Sequence, residues 1–219
     1  MKRARARPGA VVALLAAAGV LAGCAGPEFT YVRDSSGKAY FKVPAEWRKV
    51  DQKALDRLIL GDPDSAQAQA LKDLVWTVAY DAGANPSIEH LTGANGPPNE
   101  PFALAMVRTL TPAQRQQASL NFLRNAVFPV VGDDGPTNGI EIIKDEELPA
   151  PGGAKGVRTV YNMTVAPGQT QTLNQTVYLS GDGNTMSMLL IQCSTACYKA
   201  RSKQIDLVAQ SFRIKPDTP

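Results

Sequence analysis

Histidine is almost absent from this chain: His90 is the only one among 219 residues. A Ser-His-Asp or Cys-His triad would therefore have to use it. No Gly-x-Ser-x-Gly motif accompanies His90, which falls in a stretch rich in Gly, Asn and Pro at residues 83–101. We expect a loop histidine in contact with water. Hydrolysis is accordingly the last of three functional hypotheses.

The apolar run near the N-terminus is too short to cross a membrane as a helix. Residues 10–23 are uncharged and number 14, whereas a helix that crosses a hydrocarbon core of about 30 Å needs about 20 residues. The run follows Lys2, Arg3, Arg5 and Arg7, with no acidic residue among them. A basic start and a short apolar core are typical of a cleaved signal peptide.

The end of that segment, Leu21-Ala22-Gly23-Cys24, has the pattern of a lipobox. Small residues before the cysteine suit the peptidase, and the Cys24 thiol would carry diacylglycerol through a thioether. An ordinary secretory peptide and an uncleaved apolar run are the alternatives. We predict a signal peptide at residues 1–23, a lipidated tether at 24–29 and one domain at 30–215. The domain would lie on the outer face of the cytoplasmic membrane, held by the lipid on Cys24.

Strong charge of either sign is also lacking. The whole chain has 23 Lys+Arg and 20 Asp+Glu. Because the leader contains four basic and no acidic residues, 19 basic and 20 acidic residues remain, a net charge of −1. No basic cluster is left that would indicate nucleic-acid binding.

Cysteine is scarce, and two of the three cysteines form a close pair, Cys193 and Cys197. Outside the cytoplasm such a pair normally oxidises. Three intervening residues allow a Cα–Cα distance of about 6 Å, within the range of a disulfide. The alternatives are a redox pair, usually one residue tighter, and a zinc site, which needs two more ligands. We predict a structural disulfide.

Acidic and glycine-rich runs have a simple structural interpretation. Neither Asp133-Asp134-Gly135 nor Asp145-Glu146-Glu147 has the spacing of a calcium loop. We expect solvated turns there, and a hairpin turn at Gly181-Asp182-Gly183-Asn184. No metal and no cofactor is expected.

The two tryptophans, Trp47 and Trp76, are expected in the core or half-buried on a sheet. Trp47 lies near a strand end and could instead be an exposed aromatic on a partner-binding surface. The alternative is that Trp47 packs against the helix that carries Leu55 and Leu58.

Hydrophobic periodicity predicts runs of strands with helices between the runs, which is the α+β pattern of an antiparallel sheet flanked by helices. Asp34-Ser35-Ser36-Gly37 is the turn of a first hairpin. The predicted strands cover residues 30–44 as that hairpin, then 74–80, 102–110, 140–148, 155–165, 173–179 and 186–192. Helices are predicted at 51–60, 111–126 and 196–211, and loops at 61–70, 83–101 and 130–138. The last helix has one apolar stripe, formed by Ile205, Val208, Ala209 and Phe212.

Four features in this order resemble the PsbP-like (Mog-type) α/β/α sandwich. They are the motif Tyr-Phe-Lys-Val-Pro at residues 40–44 with Trp47 beyond it, the Thr-Pro helix start at 111–112, the strand into Gln192, and the last helix running into Ser-Phe-Arg-Ile at 211–214. The resemblance covers residues 29–215, and lipid-anchored, LpqN-like members occur in actinobacteria. It implies an accessory or partner-binding protein, not an enzyme.

The favoured hypothesis is therefore a non-catalytic envelope lipoprotein that binds an envelope protein or a cell-wall partner. The second hypothesis is a carrier of a small apolar or lipid ligand. A carrier would need a closed apolar cavity of roughly 300 to 1,000 Å³.

Overall fold

Antiparallel strands, with helices between their runs, build the part of the chain that the computed structural model describes, residues 26–93 and 98–216. The strands are β1 (Phe29–Arg33), β2 (Ala39–Pro44), β3 (Arg48–Lys49), β4 (Val75–Asp81), β5 (Phe102–Thr109), β6 (Val131–Gly132), β7 (Gly135–Pro136), β8 (Ile140–Leu148), β9 (Lys155–Ala166), β10 (Gln169–Leu179), β11 (Thr185–Ser194) and β12 (Arg213–Ile214). The helices are α1 (Gln52–Leu60), α2 (Ala66–Lys72), α3 (Ile88–Thr92), α4 (Pro112–Gln117), α5 (Leu120–Arg124) and α6 (Thr195–Ser211).

Seven strands form the main sheet in the order β3-β4-β5-β11-β10-β9-β8, and every neighbouring pair is antiparallel. A smaller sheet has the order β1-β2-β12. In it Arg213 lies opposite Tyr40, so the last strand pairs with the first hairpin. Helices lie on both faces of the main sheet, which confirms the predicted α+β class and its α/β/α layering.

The apolar stripe predicted for the last helix is confirmed. Ile205, Val208, Ala209 and Phe212 are all buried in one cluster between α6, the small sheet and the main sheet. Phe212 packs against two aromatic rings, those of Phe41 and Tyr178. This layer is the largest of the apolar clusters among the described residues.

The opposite face of the main sheet is covered by shorter helices. Leu55 of α1 is buried in a cluster with Phe102 of β5. Leu123 of α5 is buried in a second cluster with Val177 of β10. Both faces are therefore covered, which explains why the interior strand β10 is buried from Gln171 to Leu179.

A buried polar network joins α6 to the sheet. The guanidinium of Arg158, which is 3% exposed, donates to Asn174 Oδ1 at 3.0 Å and to Asp206 Oδ1 at 2.6 Å. The Asn174 side-chain amide donates to the Tyr198 hydroxyl at 3.0 Å. Because a buried charge is costly unless it is paired and hydrogen-bonded, this network fixes how α6 sits on the sheet.

Three predicted boundaries are wrong. Residues 61–70 are not all loop, because Ser65 caps α2 by accepting from Ala68 N at 3.1 Å and strong helix formers follow. The helix predicted at 111–126 is split into α4 and α5, because Ala118 is extended and Ser119 caps a new helix. The loop predicted at 83–101 contains the short helix α3.

Candidate functional site

An open cleft lies along the outer edge of β4, between the first hairpin on one side and α1 with α2 on the other. Its volume is about 430 Å³. The floor is β4, and the walls come from β1, β3 and the two helices. The residues that line it are Tyr31, Val32, Arg33, Lys49, Gln52, Asp56, Leu60, Lys72, Val75, Trp76, Thr77, Val78 and Tyr80.

The backbone of β4 is only partly paired at this edge. Strand β3 covers Tyr80 and Asp81 alone, and Val50 N–H adds one bond to Ala79 C=O at 3.0 Å. Backbone groups of alternate residues point to the same side of an antiparallel strand. Thr77 and Val75, in phase with Ala79, therefore direct their N–H and C=O groups into the cleft. The Gln52 side-chain amide donates to Thr77 C=O at 3.1 Å, which confirms that direction.

Aromatic side chains border the cleft on the hairpin side. Tyr31 is 76% exposed, the most exposed large apolar residue among those described. Trp76 is half-buried and packs against the cluster beneath α6. Burial raises the pKa of the Tyr80 phenol, so this side chain is neutral at physiological pH.

Basic groups outnumber acidic groups around the cleft. Arg33, Lys49 and Lys72 are exposed at its rim. The acidic residue in the lining is Asp56, whose Oδ1 accepts from Gln52 Nε2 at 2.8 Å. No ion pair joins any of the three basic side chains to a described carboxylate. The local field therefore favours an anionic group.

A second cleft of about 440 Å³ lies between α1 and α2 and shares Asp56, Leu60 and Lys72 with the first. Pro63 and Ala68 add apolar surface. Both clefts open to solvent. Neither is the closed apolar cavity that the carrier hypothesis requires.

The sequence indicated that His90 lies in a loop in contact with water; the loop assignment is wrong, but the side chain is 36% exposed and open to solvent, as expected. It lies on α3, and its Nδ1 is 2.5 Å from Oδ2 of Asp81, a fully buried carboxylate at the end of β4. Asp81 also accepts from Gly83 N at 2.7 Å and from Ser87 N at 3.2 Å. Among the described residues, no hydroxyl or thiol is hydrogen-bonded to the imidazole. An aspartate at the end of an apolar strand is the sequence feature that could have indicated this pair.

Asp81 and His90 are paired as an aspartate and a histidine are in a catalytic triad, but no nucleophilic side chain among the described residues contacts the imidazole. The contacts of Asp81 have a direct structural use, because they hold the turn at Gly83 and the start of α3. Gln192 completes the attachment by donating to Leu91 C=O at 2.7 Å. The Asp81–His90 pair therefore anchors the segment after β4 to the main sheet.

Replacing Asp81 with Asn should loosen that segment. The Asn amide presents a donor where Ser87 N–H and His90 Nδ1–H now find an acceptor, and a buried donor left unsatisfied costs about 1 to 3 kcal/mol. We expect a lower urea midpoint and faster amide exchange over residues 83–93. Asp64→Asn, in an exposed turn, is the matched control and should match the wild type. Unchanged exchange in Asp81→Asn would contradict the anchoring role.

The two neighbouring cysteines are bonded in the structure. Cys193 is the last residue but one of β11, and Cys197 lies in the first turn of α6. Their Cα atoms are 5.9 Å apart. Ser194 caps the helix between them by accepting from Cys197 N at 3.2 Å. The bond therefore ties the first turn of α6 to the sheet, as the sequence predicted.

The remaining candidates lie away from the cleft. Trp47 is 3% exposed and belongs to the cluster beneath α6, whereas Leu55 belongs to another. The expected burial of Trp47 is confirmed, and the possibility that it is an exposed partner-binding aromatic is wrong. Its alternative, packing on the helix with Leu55 and the exposed Leu58, is not what the clusters show.

The acidic run at residues 145–147 lies within β8 and not in a turn. Asp145 pairs with Arg124 at 2.8 Å and accepts from Thr159 Oγ1 at 3.0 Å. The other two runs are turns, as predicted: one joins β6 to β7 and the other joins β10 to β11. In the latter, hydrogen bonds from the Ser180 hydroxyl and from Asn184 lower the pKa of Asp182 to about 2.

Cys24 and the signal peptide at residues 1–23 lie outside the described residues, so the lipidation site stays a sequence prediction. Within residues 26–93 and 98–216, no helix combines the length and apolar character needed to cross a membrane. The same residues contain no group of three or more His, Cys, Asp or Glu side chains arranged to hold a metal ion.

Comparison with solved structures finds proteins that are similar in fold. LpqN of Mycobacterium tuberculosis, described as involved in cell envelope biogenesis, is 13% identical, with a TM-score of 0.45 over 86% of this chain and 91% of that one. The cyanobacterial PsbP of Synechocystis sp. PCC 6803 is 13% identical, with a TM-score of 0.49 over 88% and 96%. The Ran-binding protein Mog1p of Saccharomyces cerevisiae is 8% identical, with a TM-score of 0.43 over 86% and 96%.

These are the PsbP-like and Mog-type folds that the sequence motifs resemble. The likeness concerns the arrangement of strands and helices. At such identities no activity, ligand or partner is transferred from it. No protein-family model and no curated protein matches the sequence.

Proposed function

We propose that this chain is a lipid-anchored, non-catalytic accessory protein of the cell envelope that binds a protein partner in the cleft along β4. The cleft carries the proposal. It combines an incompletely paired strand edge, an exposed aromatic ring at Tyr31 and three basic side chains that form no ion pair with a described carboxylate. Aromatic side chains and arginine are enriched where proteins bind one another, and rim lysines steer a partner of opposite charge.

The cellular location of the protein is inferred from its N-terminal sequence, and the disulfide bond supports that inference. The lipobox ending in Cys24 would hold the domain at the membrane. The Cys193–Cys197 bond fits an oxidising compartment outside the cytoplasm. A tether of only a few residues keeps the domain close to the membrane surface, where an envelope partner is available.

Site-specific photocrosslinking in the native cell tests partner binding. A benzoylphenylalanine at Tyr31 should give a discrete crosslinked protein. The same residue at Ile143, which is 54% exposed on β8 at the opposite edge of the sheet, should not. Reversal of charge at the rim, Lys49→Glu with Lys72→Glu, should reduce the Tyr31 crosslink, whereas Lys203→Glu on α6 should leave it unchanged. Equal patterns at Tyr31 and Ile143 would exclude the cleft as the binding site.

A further inference from the structure

We propose that the partner contributes an extended acidic segment, which adds to the main sheet as a further strand on the edge of β4. This rests on the proposed function, because it specifies how the cleft takes its partner. A strand added to an exposed edge gains main-chain hydrogen bonds for affinity and uses alternate side chains for specificity.

The stretch of β4 whose outer edge has no partner strand has the composition of a strand in the interior of a sheet. Residues 75–80 are Val-Trp-Thr-Val-Ala-Tyr, all uncharged and mostly strong strand formers. Strand β3 leaves the edge after Lys49 and the chain turns into α1. The outward backbone groups of Val75 and Thr77 therefore have no strand partner on this side, although Thr77 itself is buried. In the absence of a partner, Gln52 supplies one donor to Thr77 C=O, and a bound strand would take its place.

The opposite edge of the same sheet shows the protection that β4 lacks. Strand β8 contains Glu141, Lys144, Asp145, Glu146 and Glu147, and its register shifts between Ile142 and Lys144. Charged side chains and bulges are the usual devices that keep edge strands from pairing. Their presence on β8 and their absence from residues 75–80 mark β4 as the edge left available.

Charge indicates what kind of segment fits. The rim carries Arg33, Lys49 and Lys72 against Asp56, which is already hydrogen-bonded to Gln52. An incoming strand with carboxylates on the side chains that face the rim would be attracted to this surface, and a basic strand would be repelled. A small apolar residue between the carboxylates would lie against Trp76.

A minimal probe separates strand addition from other modes of binding. We expect a fluorescein-labelled octapeptide of alternating glutamate and valine to bind the purified full chain at low ionic strength, measured by fluorescence anisotropy. The same peptide with a methyl group on every backbone nitrogen keeps its charge but has no N–H donor. It should bind at least about tenfold more weakly. In the presence of the unmethylated peptide, exchange of the Thr77 amide, followed by NMR, should slow.

The rim charges are tested on the protein side. Lys49→Glu with Lys72→Glu should weaken peptide binding at least about tenfold, and Lys203→Glu should change it by less than about twofold. Equal affinity of the methylated peptide, an unchanged Thr77 amide, or no binding up to about 1 mM would each overturn strand addition. A positive Tyr31 crosslink would then still support a protein partner in the cleft, bound in another way.

A second copy of the chain is the other possible occupant, because β8 is acidic. It would appear in sedimentation as association that grows with protein concentration and disappears in Glu141→Lys with Glu147→Lys. That result would assign the edge to self-association and overturn the proposal of a separate partner. A monomer at all concentrations, together with peptide binding, supports it.

Discussion

Phe212→Ala should unfold at a markedly lower urea concentration than the wild type, with a loss of about 3 to 5 kcal/mol. The ring is 1% exposed. Its centroid lies 6.2 Å from that of Phe41 and 5.7 Å from that of Tyr178. Truncation removes the contacts of this ring with the small sheet and with the main sheet at once, while Ile205, Val208 and Ala209 keep the rest of the apolar stripe in place. The cavity cannot collapse easily, because both neighbours are held in paired strands.

The disulfide gives the comparison that makes this prediction informative. Opening the short loop between Cys193 and Cys197 costs about 2 kcal/mol in the chain-entropy model. Phe212→Ala should therefore lower the melting temperature more than Cys193→Ser with Cys197→Ser does, under the same two-state analysis. If the serine variant were the less stable, the covalent bond would hold α6 in place more than packing does.

Cys24→Ser should abolish acylation completely, because a serine hydroxyl cannot form the thioether that holds diacylglycerol. Metabolic labelling of the native protein with palmitate, combined with intact mass, measures this directly. The wild type should carry the label and fractionate with the membrane. The variant should be unlabelled.

The paired cysteines supply the control for lipidation. Cys193→Ser with Cys197→Ser leaves Cys24 unchanged and should keep the full label. A wild type that is unlabelled and soluble would mean that the leader is an ordinary secretory peptide, and the anchor would have to be abandoned. The cleft and its partner would be unaffected by that result.

Strong periodicity made the fold predictable from sequence. The stripe on α6 and the alternation in β2 each place apolar residues on one face, and the structure buries both sets. Prediction was wrong where a single residue decides. Ser119 caps a new helix where composition alone would continue the preceding one, and Ser65 starts a helix in a stretch that is mostly polar.

The candidate site was less predictable, because it depends on which part of a strand edge lacks a hydrogen-bonded partner strand. The sequence indicates that residues 74–80 form a strand but not that β3 covers only its end. Which edge is open follows from strand order, and strand order depends on contacts between residues far apart in the chain. Arg158 and Asp81 were missed for a similar reason: their partners, Asp206 and His90, become neighbours only in the folded chain.

The contacts of α6 and β12 with β2 join residues that are far apart in the sequence. Ser211 Oγ accepts from Lys42 N at 3.0 Å across 169 residues of sequence. The inner face of the first hairpin is therefore covered only after the chain has been extended through α6. Contacts between residues so far apart in the sequence form slowly, because the entropy cost of closing the loop comes before the energy of the contact is gained. A nascent chain that has not yet reached Phe212 would still expose Phe41 to solvent and to chaperones.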